Sequence, residues 1–140
     1  GTPNTIGIAG LGAGIRFINS VGIDAIRKKE MSLAAMLMAG LQSMPEVTLL
    51  GCSDAARQTA VVSFTISGMS PSEAAMILDE EFSIMSRPGL QCAPAAHRTI
   101  GTFSTGTIRL SLGYFLEEDD IRTALSAVDQ IIHTKKGAIS

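Results

Sequence analysis

The strongest constraint in this chain is a six-residue run, Thr107-Ile108-Arg109-Leu110-Ser111-Leu112, in which polar and apolar side chains alternate around a central arginine. A period of two puts Ile108, Leu110 and Leu112 on one face of a strand and Arg109 on the other. Such a strand needs partners and one covered face. Ala60 to Ser67, rich in Val, Thr, Phe and Ile, supplies a second strand, and Val47 to Leu50 a short third. The cover comes from helical patterns. Ile23, Ile26, Leu33, Leu37 and Leu41 recur at helical spacing opposite Asp24, Arg27 and Lys28, and that helix should end before Pro45. Ser70-Pro71-Ser72-Glu73 predicts a helix start: Ser70 as N-cap, Pro71 in the first turn, Glu73 three residues on. That helix should reach about Phe82. A last helix is expected over Glu117 to Ile132, with acids in its first turn. Residues 5 to 20 read as a helix with a small-residue face (Gly7, Gly10, Gly14) on which something packs. Ser83 to Ser86 reads as extended, and Arg87 to Ser104, with Pro88, Gly89, Pro94 and Gly101, as a long irregular loop of the kind that often carries function. The sum is an α+β, or α/β sandwich, domain: a small, largely antiparallel sheet covered by helices.

One domain is what 140 residues allow, long enough to bury a core without staples. With 46% hydrophobic and 17% charged residues the chain should fold rather than stay disordered. The net charge is -2 and Lys and Arg are scattered, so a nucleic-acid partner is not expected. Cys52 and Cys92, forty residues apart, form neither a disulfide framework nor a zinc pattern, which suits a reducing, cytoplasmic setting. No apolar run of about 18 residues is free of charges and breakers, so no membrane span is expected. The first charge, Arg16, follows the opening apolar stretch instead of preceding it, unlike a signal peptide. The opening Gly1-Thr2-Pro3-Asn4 lacks an initiator Met and reads as a piece of something longer.

Several groups could carry chemistry. Gly10-Leu11-Gly12-Ala13-Gly14 mimics a dinucleotide-binding turn, but the third glycine of the motif would fall at Ile15, and the region near Glu30 reads as helix where a strand ending in an acid is needed. Helix packing is the simpler account. Cys92 lies in a loop with Arg87 five residues before it and Arg98 six after, a setting in which positive neighbours would favour the nucleophilic thiolate; an inert buried cysteine is the plain alternative. Arg109 suits a planar two-point grip on a carboxylate, or else a solvated sheet face. His97 could act as an acid or base, though a loop hydrogen-bonding role fits better. His133 should be exposed, Cys52 has no assigned role, and the pairs Arg27/Lys28 and Lys135/Lys136 read as solvated charge.

Three segments together resemble the class V aminotransferase family: Gly1-Thr2-Pro3-Asn4-Thr5 with Gly10-Leu11-Gly12-Ala13; Arg87-x-Gly89-x-x-Cys92-Ala93; and Gly106-Thr107-Ile108-Arg109-Leu110-Ser111 with Tyr114 and the acidic helix start. They cover nearly the whole chain, and the short cysteine loop is most similar to the group II cysteine desulfurases and selenocysteine lyases. The resemblance implies the C-terminal small domain of a fold-type I enzyme dependent on pyridoxal 5'-phosphate. It implies that Cys92 takes sulfur from L-cysteine as a persulfide, with release of alanine. Arg109 would clamp the substrate carboxylate, Arg87 would shape the pocket, and Thr2 would reach the cofactor phosphate of the other subunit of a homodimer. A sulfur-acceptor protein in iron–sulfur cluster assembly is the implied partner. Two features depart from the pattern. Gln91 stands where many relatives have His, and none of Lys28, Lys29, Lys135 and Lys136 is placed like a Schiff-base lysine. The expectation is a C-terminal fragment without the lysine-bearing domain, binding no cofactor and inactive alone. The alternatives are a lyase or transferase acting on another amino acid, with Cys92 incidental, and a non-catalytic interaction domain.

Overall fold

The computed structural model describes residues 1–52 and 54–138, with side chains as far as residue 134. Helix α1 (Thr5–Val21) is capped by Asn4, whose side chain accepts the Gly7 amide hydrogen at 2.9 Å. Gly22, at φ 89°, makes the corner into α2 (Ile23–Gln42), and the two helices bend by 82° there. No single helix among the described residues is long and apolar enough to cross a membrane. The periodic residues Leu33, Leu37 and Leu41 of α2 are all buried, and the helix stops ahead of Pro45 as expected. In α3 (Pro71–Phe82) the predicted cap is present: Ser70 Oγ accepts from the Glu73 amide at 3.1 Å. Ser83, in the left-handed conformation at φ 55°, ends that helix. Helix α5 (Glu118–Ala138) begins with Glu118, Asp119 and Asp120 and extends past the predicted Ile132. The lysine doublet 135/136 is therefore helical backbone, and its side chains lie outside the described ones.

Strands β1 (Val47–Leu50), β2 (Val61–Ile66), β3 (Arg87–Gly89) and β4 (Thr107–Ser111) form one sheet in the order β1-β2-β4-β3, antiparallel throughout. The side chains of Val62, Phe64, Ile66, Ile108 and Leu110 point to the helices and join Leu37, Leu41, Leu78, Ile121 and Val128 in a single core. Fully burying a side chain of this size is worth roughly 1.5–3 kcal/mol relative to exposure, so this face holds the molecule together. The α+β architecture expected from periodicity is thus the one observed.

Three local readings differ. Strand β3 lies inside the stretch read as loop, while residues 83–86, read as extended, stay outside the sheet. A strand containing Pro88 survives because it is an edge of three residues, where the missing N–H faces no partner. The same stretch holds a short helix, α4 (Pro94–Thr99), which turns His97 inward. Gly106 explains how the loop returns to the sheet. Its φ is 75°, and an added Cβ would lie 2.5 Å from the Gly89 backbone, so only glycine allows this approach.

Candidate active site

Direct cross-strand partners share a face of the sheet. The register pairs Leu50 with Ser63, Ser63 with Arg109, and Arg109 with Arg87. These four residues therefore form one row on the face turned away from the helices. Two arginines directly opposite each other repel and lower stability unless an anion lies between them. Neither has an ion pair among the described residues. Arg109 is half-buried, and its Nε is shielded from solvent with no hydrogen-bond partner. An orphaned guanidinium hydrogen beside a second arginine is the donor geometry of a receptor for a carboxylate or phosphate.

Cys92 follows β3 by three residues, and its thiol is free and exposed. The residue before it, Gln91, lies at φ 49°, a conformation that costs a non-glycine residue energy and needs compensation. Its side-chain amide supplies that. Gln91 Nε2 donates to the carbonyls of Arg87 at 3.3 Å and Thr107 at 3.4 Å, and lies 3.4 Å from Thr107 Oγ1. The loop is thereby fastened to the start of β4, two residues before Arg109. Arg87, Arg109 and the Cys92 loop accordingly share one edge of the sheet. His97 is 3% exposed, with Nδ1 2.7 Å from Thr102 Oγ1 and Nε2 3.3 Å from Gln91 Oε1. It is a loop hydrogen-bonder, as expected. The roles of Gln91, Thr102 and Thr107 were not foreseen. The signal available was a polar amide beside the cysteine six residues ahead of a histidine.

Other candidates fall away from this edge. Gly10 to Gly14 lie in the middle of α1, so the dinucleotide-turn reading is excluded. Among the described residues nothing packs on the face at Gly10 and Gly14: an added Cβ at either would meet nothing within 4 Å. Along α1, Ile6, Ile8, Leu11 and Ile15 are exposed, and none of its residues is buried. Thr2 is exposed ahead of that helix, Cys52 is half-buried in a surface loop, and His133 is exposed against Asp129. Lys28 is exposed, and Lys29 is held by Glu117 at 2.6 Å beneath the Tyr114 ring. Neither fits a Schiff-base lysine, which must be activated by burial or a cationic neighbour. An apolar cleft of about 370 Å³ lies on the helix side of the sheet, lined in part by Leu37, Phe82, Leu110, Leu116 and Ile121. It contains neither cysteine nor arginine and faces away from Arg109.

Residues 1–123 match the family model for aminotransferase class V. This chain belongs to the class V aminotransferase family. Within that family it is 31% identical over 138 residues to a probable cysteine desulfurase of Pyrococcus abyssi, covering 99% of this chain and 33% of the relative. It is 36% identical over 130 residues to a probable cysteine desulfurase of Pseudomonas putida, covering 93% and 31% respectively. Among solved structures it superposes on the apo cysteine desulfurase of Thermococcus onnurineus with a TM-score of 0.88 at 34% identity, over 96% of this chain and 32% of that one. Against the cysteine desulfurase CsdA of Escherichia coli the TM-score is 0.85 at 25% identity, again over 96% and 32%. The class V chain described here spans about a third of the length of these relatives. The family resemblance read from three motifs is confirmed, and so is the fold it implied.

Proposed function

We infer that this class V chain is the C-terminal part of a pyridoxal-phosphate-dependent cysteine desulfurase. The observation that carries the reading is the Arg87–Arg109 pair on the open sheet face, with the Cys92 loop fastened beside it. A small amino-acid substrate offers a carboxylate for two guanidinium groups, and sulfur for a thiol nearby.

In this reading Arg109 grips the L-cysteine carboxylate and Arg87 closes the other side of the pocket. The Cys92 thiolate attacks the substrate sulfur. An S–S bond forms, the substrate C–S bond breaks, and its electron pair stays with the carbon fragment, which takes a proton and leaves as alanine. Cys92 is left as a persulfide, and its outer sulfur passes to an acceptor protein, in keeping with iron–sulfur cluster assembly. Pyridoxal phosphate serves such chemistry as an electron sink. Lys28 and Lys29 do not fit its Schiff base, so it would be held by a lysine from a further domain of a homodimer, with Thr2 at the phosphate of the opposite subunit. The exposed apolar side chains of α1 suit a surface covered by that domain. The chain alone would then bind no cofactor and release no alanine. Two free thiols agree with a reducing, cytoplasmic setting.

The test is Cys92→Ala in the full-length protein, with alanine and sulfide release measured from L-cysteine. Loss of both supports the assignment. Undiminished release rejects Cys92 as the nucleophile and favours a lyase or transferase in which the thiol is incidental.

A further inference from the structure

The hydrogen bonds around His97 close on themselves. The two backbone carbonyls facing Gln91 Nε2 fix the orientation of its amide, so Oε1 must face the His97 ring. A neutral ring then carries its hydrogen on Nε2 and donates it to Oε1, while Nδ1 accepts from the Thr102 hydroxyl. The Thr102 amide returns a bond to the His97 carbonyl at 2.9 Å. The Thr102 carbonyl accepts from the Gly106 amide at 2.7 Å, next to Thr107, where the circuit began. The path therefore runs from residue 91 to 97, 102, 106 and 107 and back. Cys92 takes no part in it and has no side-chain hydrogen bond of its own among the described residues. Its backbone follows directly from the left-handed turn at Gln91 that the circuit maintains.

We propose that Gln91 and His97 are positioning residues, whose closed circuit fixes where the Cys92 thiol stands relative to β4 and the Arg109 guanidinium. The proposal rests on the reading of Cys92 as the sulfur-accepting nucleophile. It assigns no chemistry to His97. The ring acts through Gln91, and the gain is orientation of the attacking group.

The test uses the full-length protein in a Cys52→Ser background, with Gln91→Ala, His97→Ala and the conservative His97→Gln. Two quantities are read: kcat and KM for L-cysteine, and the rate at which iodoacetamide alkylates Cys92. Loss of these side-chain bonds, two at His97 and four at Gln91, should lower kcat about tenfold or more in both alanine variants. KM should stay within about twofold, because the carboxylate grip is untouched. Alkylation of Cys92 should become several-fold faster as the loop loosens, and His97→Gln, which can still donate to Gln91, should recover most of the loss. Unchanged kcat and alkylation in both alanine variants would overturn the proposal. So would KM rising in step with falling kcat, or a loss of thermal stability that His97→Gln does not restore. Should His97→Ala fail to fold, Thr102→Val removes only the hydroxyl that serves Nδ1, and it must shift alkylation in the same direction for the proposal to stand. If Cys92→Ala keeps full alanine release, the nucleophile reading fails by itself, and the alkylation contrast still decides whether the circuit places the thiol.

Discussion

Replacing Arg109 with Met separates binding from stability, because the two should move in opposite directions. The methionine keeps most of the apolar stem and removes the guanidinium. Hydrogen bonds from a charged group are worth about 1.5–3 kcal/mol, so under the proposed clamp role of Arg109 the change should raise KM for L-cysteine roughly 10- to 150-fold in the full-length protein. In the unliganded chain the same change removes a like-charge cross-strand pair, worth about 0.2–1 kcal/mol. It also removes the orphaned Nε, whose burial unpaired costs on the order of 1–3 kcal/mol. Arg109 is only half-buried, and solvent screening and lost stem packing cut into that sum. A net gain of about 0.5–2 kcal/mol in unfolding free energy remains. Urea denaturation followed by circular dichroism should show a higher midpoint with an unchanged slope. A lower midpoint together with an unaltered KM would mean that Arg109 supports the sheet and binds nothing, and the substrate-clamp reasoning would be wrong.

Two further outcomes check the scaffold under the site. Gly106→Ala forces a side chain into a left-handed backbone and against Gly89, and should cost roughly 2–5 kcal/mol, read as a lowered denaturation midpoint; a neutral result would deny the close approach of the loop to β3. Phe64→Ala opens a cavity where the side chain is fully buried and should cost about 3–5 kcal/mol by the same assay; a loss under about 1 kcal/mol would show that the helices do not close over that point.

What was legible in the sequence was whatever short-range periodicity encodes. Leu33, Leu37 and Leu41 mark the buried stripe of α2, and alternation around Arg109 tells which side of β4 is wet. Ser70, Pro71 and Glu73 mark a helix start through bonds that span three residues. β3 was not legible, since Pro88 and Gly89 are loop residues by every local rule, and their strand exists only because β4 pairs with them. What packs on the glycine face of α1 was not legible, because composition says that a surface can be approached closely, and never what approaches it. Within the site, Cys92 and Arg109 stood out as residue types suited to nucleophilic attack and carboxylate binding. Their common edge of the sheet comes from a pairing between residues 22 positions apart, which no local window contains. Gln91 was noticed only as a departure from the motif, since its value lies in a circuit through Thr107 and His97.

The strand order carries a consequence for how the chain becomes competent. β4 is last in sequence yet sits between β2 and β3, so β3 has no neighbour to pair with until β4 has inserted. A nascent chain emerging from the ribosome as far as residue 106 would hold Cys92 on a segment not yet tethered to the sheet. Ordering of that segment must await synthesis of the final strand, and such long-range pairing is the slow part of folding.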